Sequence, residues 1–226
     1  QRSTALAESI DAAFRFMRWA ALAVVIAVLG SGITFVQSDE AALVLRFGKL
    51  VGSTRAQQVH EPGILFAWPY LVDTVVRVPV KKVQEVEITR FNGEKFERYA
   101  AERGDTSVVQ ENSLDPREVG YFLTGDSNVI HADVLVKYQI KDPVNYALYL
   151  EDPNQVIVNV VTEALTQTVG HTSVDPVLAE GKRKLISEVT ARSQKRLDEL
   201  ETGVTIAAVE FREVKPPKAV APDFQD

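Results

Sequence analysis

From Trp19 to Ser38 the chain runs 20 residues without a charge, and no polar side chain appears before Ser31. As a helix rising ~1.5 Å per residue, such a run spans ~30 Å, the thickness of a bilayer's hydrocarbon core. A helix on the core of a soluble domain shows polar residues every third or fourth position, and this run does not. The run therefore predicts a transmembrane helix over residues 17–38, with Trp19, Leu22, Val25, Ile26, Leu29, Ile33 and Phe35 in the membrane. A buried core helix and a cleaved signal peptide are the alternatives, the second because Gly30 and Gly32 suit a small-residue cleavage site. Residues 1–16 space Leu6, Ile10 and Phe14 on one face and read as an amphipathic juxtamembrane segment, capped by Ser3 or Thr4.

Orientation rests on the flanking charges. Arg15 and Arg18 border the run on its N-terminal side and Asp39 and Glu40 on the other. Farther out the basic residues balance, Arg2, Arg15 and Arg18 against Arg46, Lys49 and Arg55. The bias favours a cytoplasmic N-terminus with the larger part outside. Gln1 at one end and Gln225-Asp226 at the other suggest a piece of a longer protein.

The 31 acidic residues outnumber the 25 basic ones, for a net charge of −6. That balance argues against nucleic acid as a partner, because phosphate binding needs a basic face. Without cysteine, disulfides, zinc–thiolate sites and thiol catalysis are excluded.

Beyond the run the apolar period changes to two. Ala41, Leu43, Leu45 and Phe47 are expected on the inner face of a strand ended by Gly48. After a polar connector, Pro62-Gly63 opens the stretch 64–72, ILFAWPYLV. It reads either as a buried strand or as a loop resting on the bilayer. In the second case Ile64, Leu65, Phe66, Trp68 and Tyr70 are the membrane contacts, Trp and Tyr being the residues that favour the headgroup region. Residues 75–90 alternate again, with Val76, Val78, Val80, Val86 and Ile88 inward and Arg77, Lys81, Glu85 and Glu87 toward water; Pro79 implies an edge or a bulge. A long polar loop, 91–118, divides a first subdomain, 39–118, from a second, 119–226.

The second subdomain opens with a hairpin about Gly125-Asp126-Ser127-Asn128, whose long strand turns Ile130, Ala132, Val134, Val136, Tyr138 and Ile140 inward. Two helices follow, each begun by Asp-Pro (Asp152-Pro153, Asp175-Pro176) and each followed by glycine, Gly170 and Gly203. Val156, Val160, Val161, Ala164, Leu165 and Thr168 stripe the first; Leu178, Leu185, Ile186, Val189, Leu197 and Leu200 stripe the second. A last strand from Val204 to Phe211 precedes Pro216-Pro217, which can seat a further helix. The order points to an α+β fold of antiparallel strands and helices behind the transmembrane helix.

Catalytic signatures are missing. No phosphate-cradling loop, nucleophile elbow or His-Glu-x-x-His occurs, and His60, His131 and His171 fall on three different elements. Asp126, Ser127 and His131 read as turn and strand-face residues. Neither enzyme activity, cofactor nor metal is expected.

The segments Glu40–Lys49 (EAALVLRFGK) and His60–Ile64 (HEPGI) resemble the opening of the SPFH superfamily (band 7: stomatin, prohibitin, flotillin and HflK-HflC). Leu123–Asn128 (LTGDSN), the strand to Tyr138, Ile140–Pro143 (IKDP), Val209–Phe211 and Lys215–Pro217 resemble its second half and close. The single N-terminal helix and the LTGDSN segment are most similar to the HflK branch. The resemblance implies a two-part SPFH domain, periplasmic and anchored in a bacterial inner membrane. It implies a non-enzymatic scaffold: homo- or hetero-oligomeric rings or cages, built with an HflC-like SPFH subunit, that modulate an FtsH-type ATP-dependent protease. It also implies that part of the first subdomain docks on the lipid bilayer. Family members continue into a long helical assembly segment beyond the residues present here. The rival functions are a flotillin-like organiser of membrane microdomains without a protease partner, a membrane-tethered hydrolase, and a subunit of a transporter or envelope complex.

Overall fold

The structure is a computed structural model and describes residues 2–69, 72–92, 102, 120–174, 177 and 181–215. Its contacts divide the chain into two units, Gln1–Pro79 and Val80–Asp226. The sequence places the division in the loop 91–118. It falls earlier because residues 75–90 form two strands rather than one, on either side of Pro79, and the second of them pairs within the later unit. Most of the loop, with Asp175-Pro176, Leu178 and Pro216-Pro217, lies outside the described residues.

In the first unit, helix α1 (Arg2–Gly30) stops short of the predicted end at residue 38. Ser31 caps its last turn, the backbone N–H reaching Ala27 O at 3.0 Å and the hydroxyl Val28 O at 2.7 Å. The chain then leaves as strand β1 (Ile33–Val36), so Ile33 and Phe35 are strand residues, not helical ones. Gly30 and Gly32 account for the break, since glycine is the residue a helix ends on most readily. Among the described residues no helix is long and apolar enough to cross a membrane. The uncharged helical stretch, Trp19–Gly30, covers only ~18 Å.

The main sheet of this unit centres on β2 (Ala41–Arg46). Strands β3 (Lys49–Leu50) and β4 (Val59–His60) pair along one edge of β2, and β6 (Asp73–Val78) along the other. A short helix, α2 (Arg55–Gln58), leads into β4, and β5 (Gly63–Phe66) follows it. Leu43 is fully buried, as expected. Phe47 is not on the inner face with it. Phe47 and Gly48 form the two-residue turn between β2 and β3, both at positive φ (48° and 78°), and the turn swings Phe47 out of the strand's alternation.

The second unit holds β7 (Gln84–Ile88), β8 (Phe122–Leu123), β9 (Val129–Ile140) and β10 (Val204–Lys215), with β9 central. The inward set predicted for β9 is buried throughout, and so are Asp133 and Leu135 on its other face. A short helix unread in the sequence, α3 (Pro143–Leu148), begins where Asp142 accepts from the N–H groups of Val144 (2.9 Å) and Asn145 (3.2 Å). Helices α4 (Pro153–Gly170) and α5 (Lys182–Glu199) pack on each other, α4 also on β7 and β8, and α5 on β10. Ile157, Val161 and Leu165 of α4 and Val189 and Leu197 of α5 are almost wholly buried. Leu200 is 43% exposed because it is the C-cap of α5, past the stripe. Tyr138 is buried among these elements, its hydroxyl donating to Asn154 Oδ1 at 2.7 Å.

Side chains of α5 also bond to β10 away from β9. Gln194 accepts from Ile206 N at 2.8 Å and donates to Val204 O at 3.1 Å. Lys182 Nζ donates to Phe211 O at 3.2 Å.

Candidate membrane-facing site

Strand β1 finds its partner in β5, some thirty residues on in the chain. They form a two-stranded antiparallel ribbon with Ile33 opposite Phe66, Thr34 opposite Leu65, Phe35 opposite Ile64 and Val36 opposite Gly63. The bond from Ala67 N to Gly32 O, 2.9 Å, extends the ladder. Directly opposed residues share a face, and alternate residues take opposite faces. One face therefore gathers Ile33, Phe35, Ile64 and Phe66, exposed by 52, 66, 74 and 60%. The other carries Thr34 and Leu65, half-buried, and Val36, buried. Of the predicted contacts, Leu65 thus lies on the face turned away from the rest, a consequence of the strand period. Tyr70 lies outside the described residues.

A strand pair covering one face and exposing four large apolar side chains on the other is not a finished core. Each such side chain gains roughly 2 kcal/mol when removed from water. The ribbon also begins three residues after α1 ends, and Trp19, Leu22, Val25 and Ile26 of that helix are between 47 and 71% exposed. The side chain of Leu29 lies outside the described residues.

Trp68, 50% exposed, sits just beyond the ribbon in a turn fixed by one buried carboxylate. Asp73, whose side chain is only 1% exposed, accepts from Arg46 Nε at 2.9 Å and Nη2 at 3.0 Å, and from the backbone N–H of Trp68 at 2.9 Å. The turn itself closes with Val72 N on Pro69 O at 2.8 Å. The Arg46 hydrogen bonds hold the Asp73 carboxyl below the ordinary carboxylate range, against the effect of burial. The Trp68 N–H and the Arg46 charge act in the same direction as those bonds. Nothing in the spacing of Arg46 and Asp73 signals this pair, which joins β2 to β6 across the sheet.

Asp126 and Ser127 have a structural explanation. Ser127 takes the left-handed position of the β8–β9 turn, φ 65°. Asp126 accepts from the Thr124 hydroxyl and from Val174 N, tying that turn to the segment after α4. The Thr124 bond, with the Val174 N–H, keeps the Asp126 carboxyl below its ordinary range. Among the described residues no group of three or more His, Asp or Glu is placed to hold a metal ion.

A family model described as SPFH domain / Band 7 family matches residues 34–226. The chain is 26% identical over 197 residues to Protein HflK of Borreliella burgdorferi, covering 87% of this chain and 57% of that one. It is 24% identical over 212 residues to the protein of Escherichia coli K12 named Modulator of FtsH protease HflK, covering 94% and 42%. To Protein HflK of Haemophilus influenzae it is 25% identical over 220 residues, covering 94% and 44%. The chain thus spans about half the length of these relatives.

Proposed function

The chain belongs to the SPFH domain / Band 7 family, and on that premise we propose that it is a non-enzymatic, membrane-anchored scaffold. It assembles with an HflC-like SPFH chain into a large ring or cage and modulates an FtsH-type membrane protease. Support for the protease comes from the names of its relatives, one of them a modulator of FtsH protease. The observation that carries the membrane part is the ribbon, with four exposed apolar residues on one face directly after an apolar helix.

In this reading the uncharged run enters the membrane in two parts. Helix α1 is the single-pass anchor in a bacterial inner membrane, its N-terminal end cytoplasmic and the main domain periplasmic. Phe14, Phe16 and Met17, each more than half exposed, lengthen its apolar part below Trp19. Arg15 and Arg18 between them have stems long enough to bring their charges to the headgroups. The ribbon lies at the opposite surface, where Ile33, Phe35, Ile64, Phe66 and Trp68 meet lipid. One anchor per chain and many lateral contacts add up by avidity in the plane of the membrane.

Two measurements test this. Full-length protein extracted from its own membrane in mild detergent is expected as a very large particle that carries a sister SPFH chain and an ATP-dependent membrane protease, identified by mass spectrometry. A monomer or small dimer would remove the scaffold reading. Separately, Ile64→Asp with Phe66→Asp is expected to leave the melting temperature unchanged, since both side chains are exposed. In vesicles containing brominated lipid, the same change should weaken quenching of Trp68 in a Trp19→Phe background. Loss of the folded circular-dichroism signal would assign the ribbon to a core instead.

A further inference from the structure

The turn between β2 and β3 holds a residue the fold does not ask for. Type I′ turns favour Asn, Asp or Gly at the first central position, because φ is positive there. Phe47 occupies it at φ 48°, a left-handed conformation that is strained for a bulky L-residue. It gains no burial in return, being 76% exposed. A strained, exposed aromatic is a residue kept for something outside the chain.

Its neighbourhood says what. Phe47 N donates to Val72 O at 2.9 Å, which stitches this turn to the turn that carries Trp68. The preceding residue, Arg46, holds the Asp73 carboxylate that also receives Trp68 N–H. The two turns are therefore locked side by side, each with an exposed aromatic, and the Trp68 turn continues directly from the ribbon. Arg46 is engaged by Asp73, whereas Lys49 on the far side of the turn is exposed. An aromatic side chain beside a lysine is the pairing that suits a lipid surface, the ring at the acyl boundary and the ammonium at the phosphates.

We propose that the β2–β3 turn is a second point of bilayer attachment, with Phe47 entering the headgroup boundary and Lys49 meeting anionic lipid phosphates. The proposal rests on the membrane reading of the ribbon and adds a contact to it. Two attachment points would hold the first unit at a fixed tilt, where the ribbon alone leaves it free to rock.

The test uses full-length protein reconstituted into phosphatidylcholine vesicles with a minority of phosphatidylglycerol, part of the lipid carrying brominated chains. Trp19→Phe and Trp68→Phe remove the two tryptophans of this sequence, any tryptophan elsewhere in the full-length protein is likewise replaced by phenylalanine, and F47W or I64W then introduces a single reporter. The emission of F47W is expected to fall on bromination as that of I64W does, and to fall less in vesicles lacking phosphatidylglycerol. An unquenched F47W beside a quenched I64W overturns the proposal and leaves the ribbon reading standing. If neither is quenched, both are overturned. As a check independent of the reporter, Phe47→Asn suits the turn, so the melting temperature should hold or rise. Combined with Lys49→Gln it should weaken the quenching of native Trp68 in the Trp19→Phe background, and an unchanged Trp68 signal would overturn the proposal.

Discussion

Gly203→Ala is expected to destabilise the second unit by about 3 kcal/mol, which at this size lowers its melting temperature by roughly 10 °C. Gly203 links α5 to β10 at φ 71°, where any other L-residue pays a left-handed penalty of ~1–2 kcal/mol. The larger part is steric. A Cβ at this position would overlap the carbonyl oxygen of Asp142. That obstacle is backbone and is itself pinned, because Lys141 N and Asp142 N both donate to Gly203 O, at 2.8 and 3.0 Å. The strain would spread to the Asp142 cap of α3 and to the register that starts with Val204 opposite Ile140. Both tryptophans, Trp19 and Trp68, belong to the first unit. Tyr70 also belongs to the first unit, so urea unfolding followed by amide exchange in β9 is the measurement that reads the second unit. An unfolding midpoint equal to that of the parent protein would show that the close approach at Asp142 is not as described.

The second large effect belongs to Asp73. Asp73→Asn keeps the shape and removes the charge-assisted pair with Arg46, and is expected to cost the first unit about 2 kcal/mol. Arg46 is 45% exposed, so water screens its side of the bridge and the loss stays well short of that for a fully buried pair. The pH dependence has a definite sign. The folded carboxyl lies below its value in the unfolded chain. Its contribution is therefore complete above the ordinary carboxylate pKa of about 4 and disappears as pH falls through the lower folded value. Acid titration of Trp68 emission in a Trp19→Phe background should show this loss in the parent and a shallower slope in Asp73→Asn. Equal slopes would mean that the carboxylate does not hold the Trp68 turn.

The elements that the sequence predicts best are those whose burial follows one period over many residues. The alternation from Ile130 to Ile140 and the middle of the two helix stripes, Val160, Val161, Ala164, Leu165 and Thr168 in α4 and Leu185, Val189 and Leu197 in α5, are buried in the structure, because a long run of consistent local choices leaves little for distant contacts to overrule. Ile33–Val36 is the opposite case. Four apolar residues at the end of an apolar run fit a helix or a strand equally well, and what decides is pairing with residues 63–66. Only the glycines at 30 and 32 marked the break. Phe47 was legible as part of an alternation but not as the first residue of a turn, since a Phe at positive φ goes against the usual turn chemistry. The Arg46–Asp73 clasp had no local trace at all, for a pair formed across a sheet has no characteristic spacing in sequence. The sequence thus singles out Ile64, Phe66 and Trp68 by their types and Ile33 and Phe35 as part of an apolar helix, and only the fold brings Ile33, Phe35, Ile64 and Phe66 onto one ribbon face.

Gln194 bears on what happens when many copies of one chain stand side by side. An exposed strand edge then becomes a template, and strand added to strand grows into a fibre that no ring geometry can stop. At the start of β10 the Gln194 amide already fills the place a newcomer's peptide group would take, accepting from Ile206 and donating to Val204. A single side chain, offered from the helix next door, ends the sheet at that point.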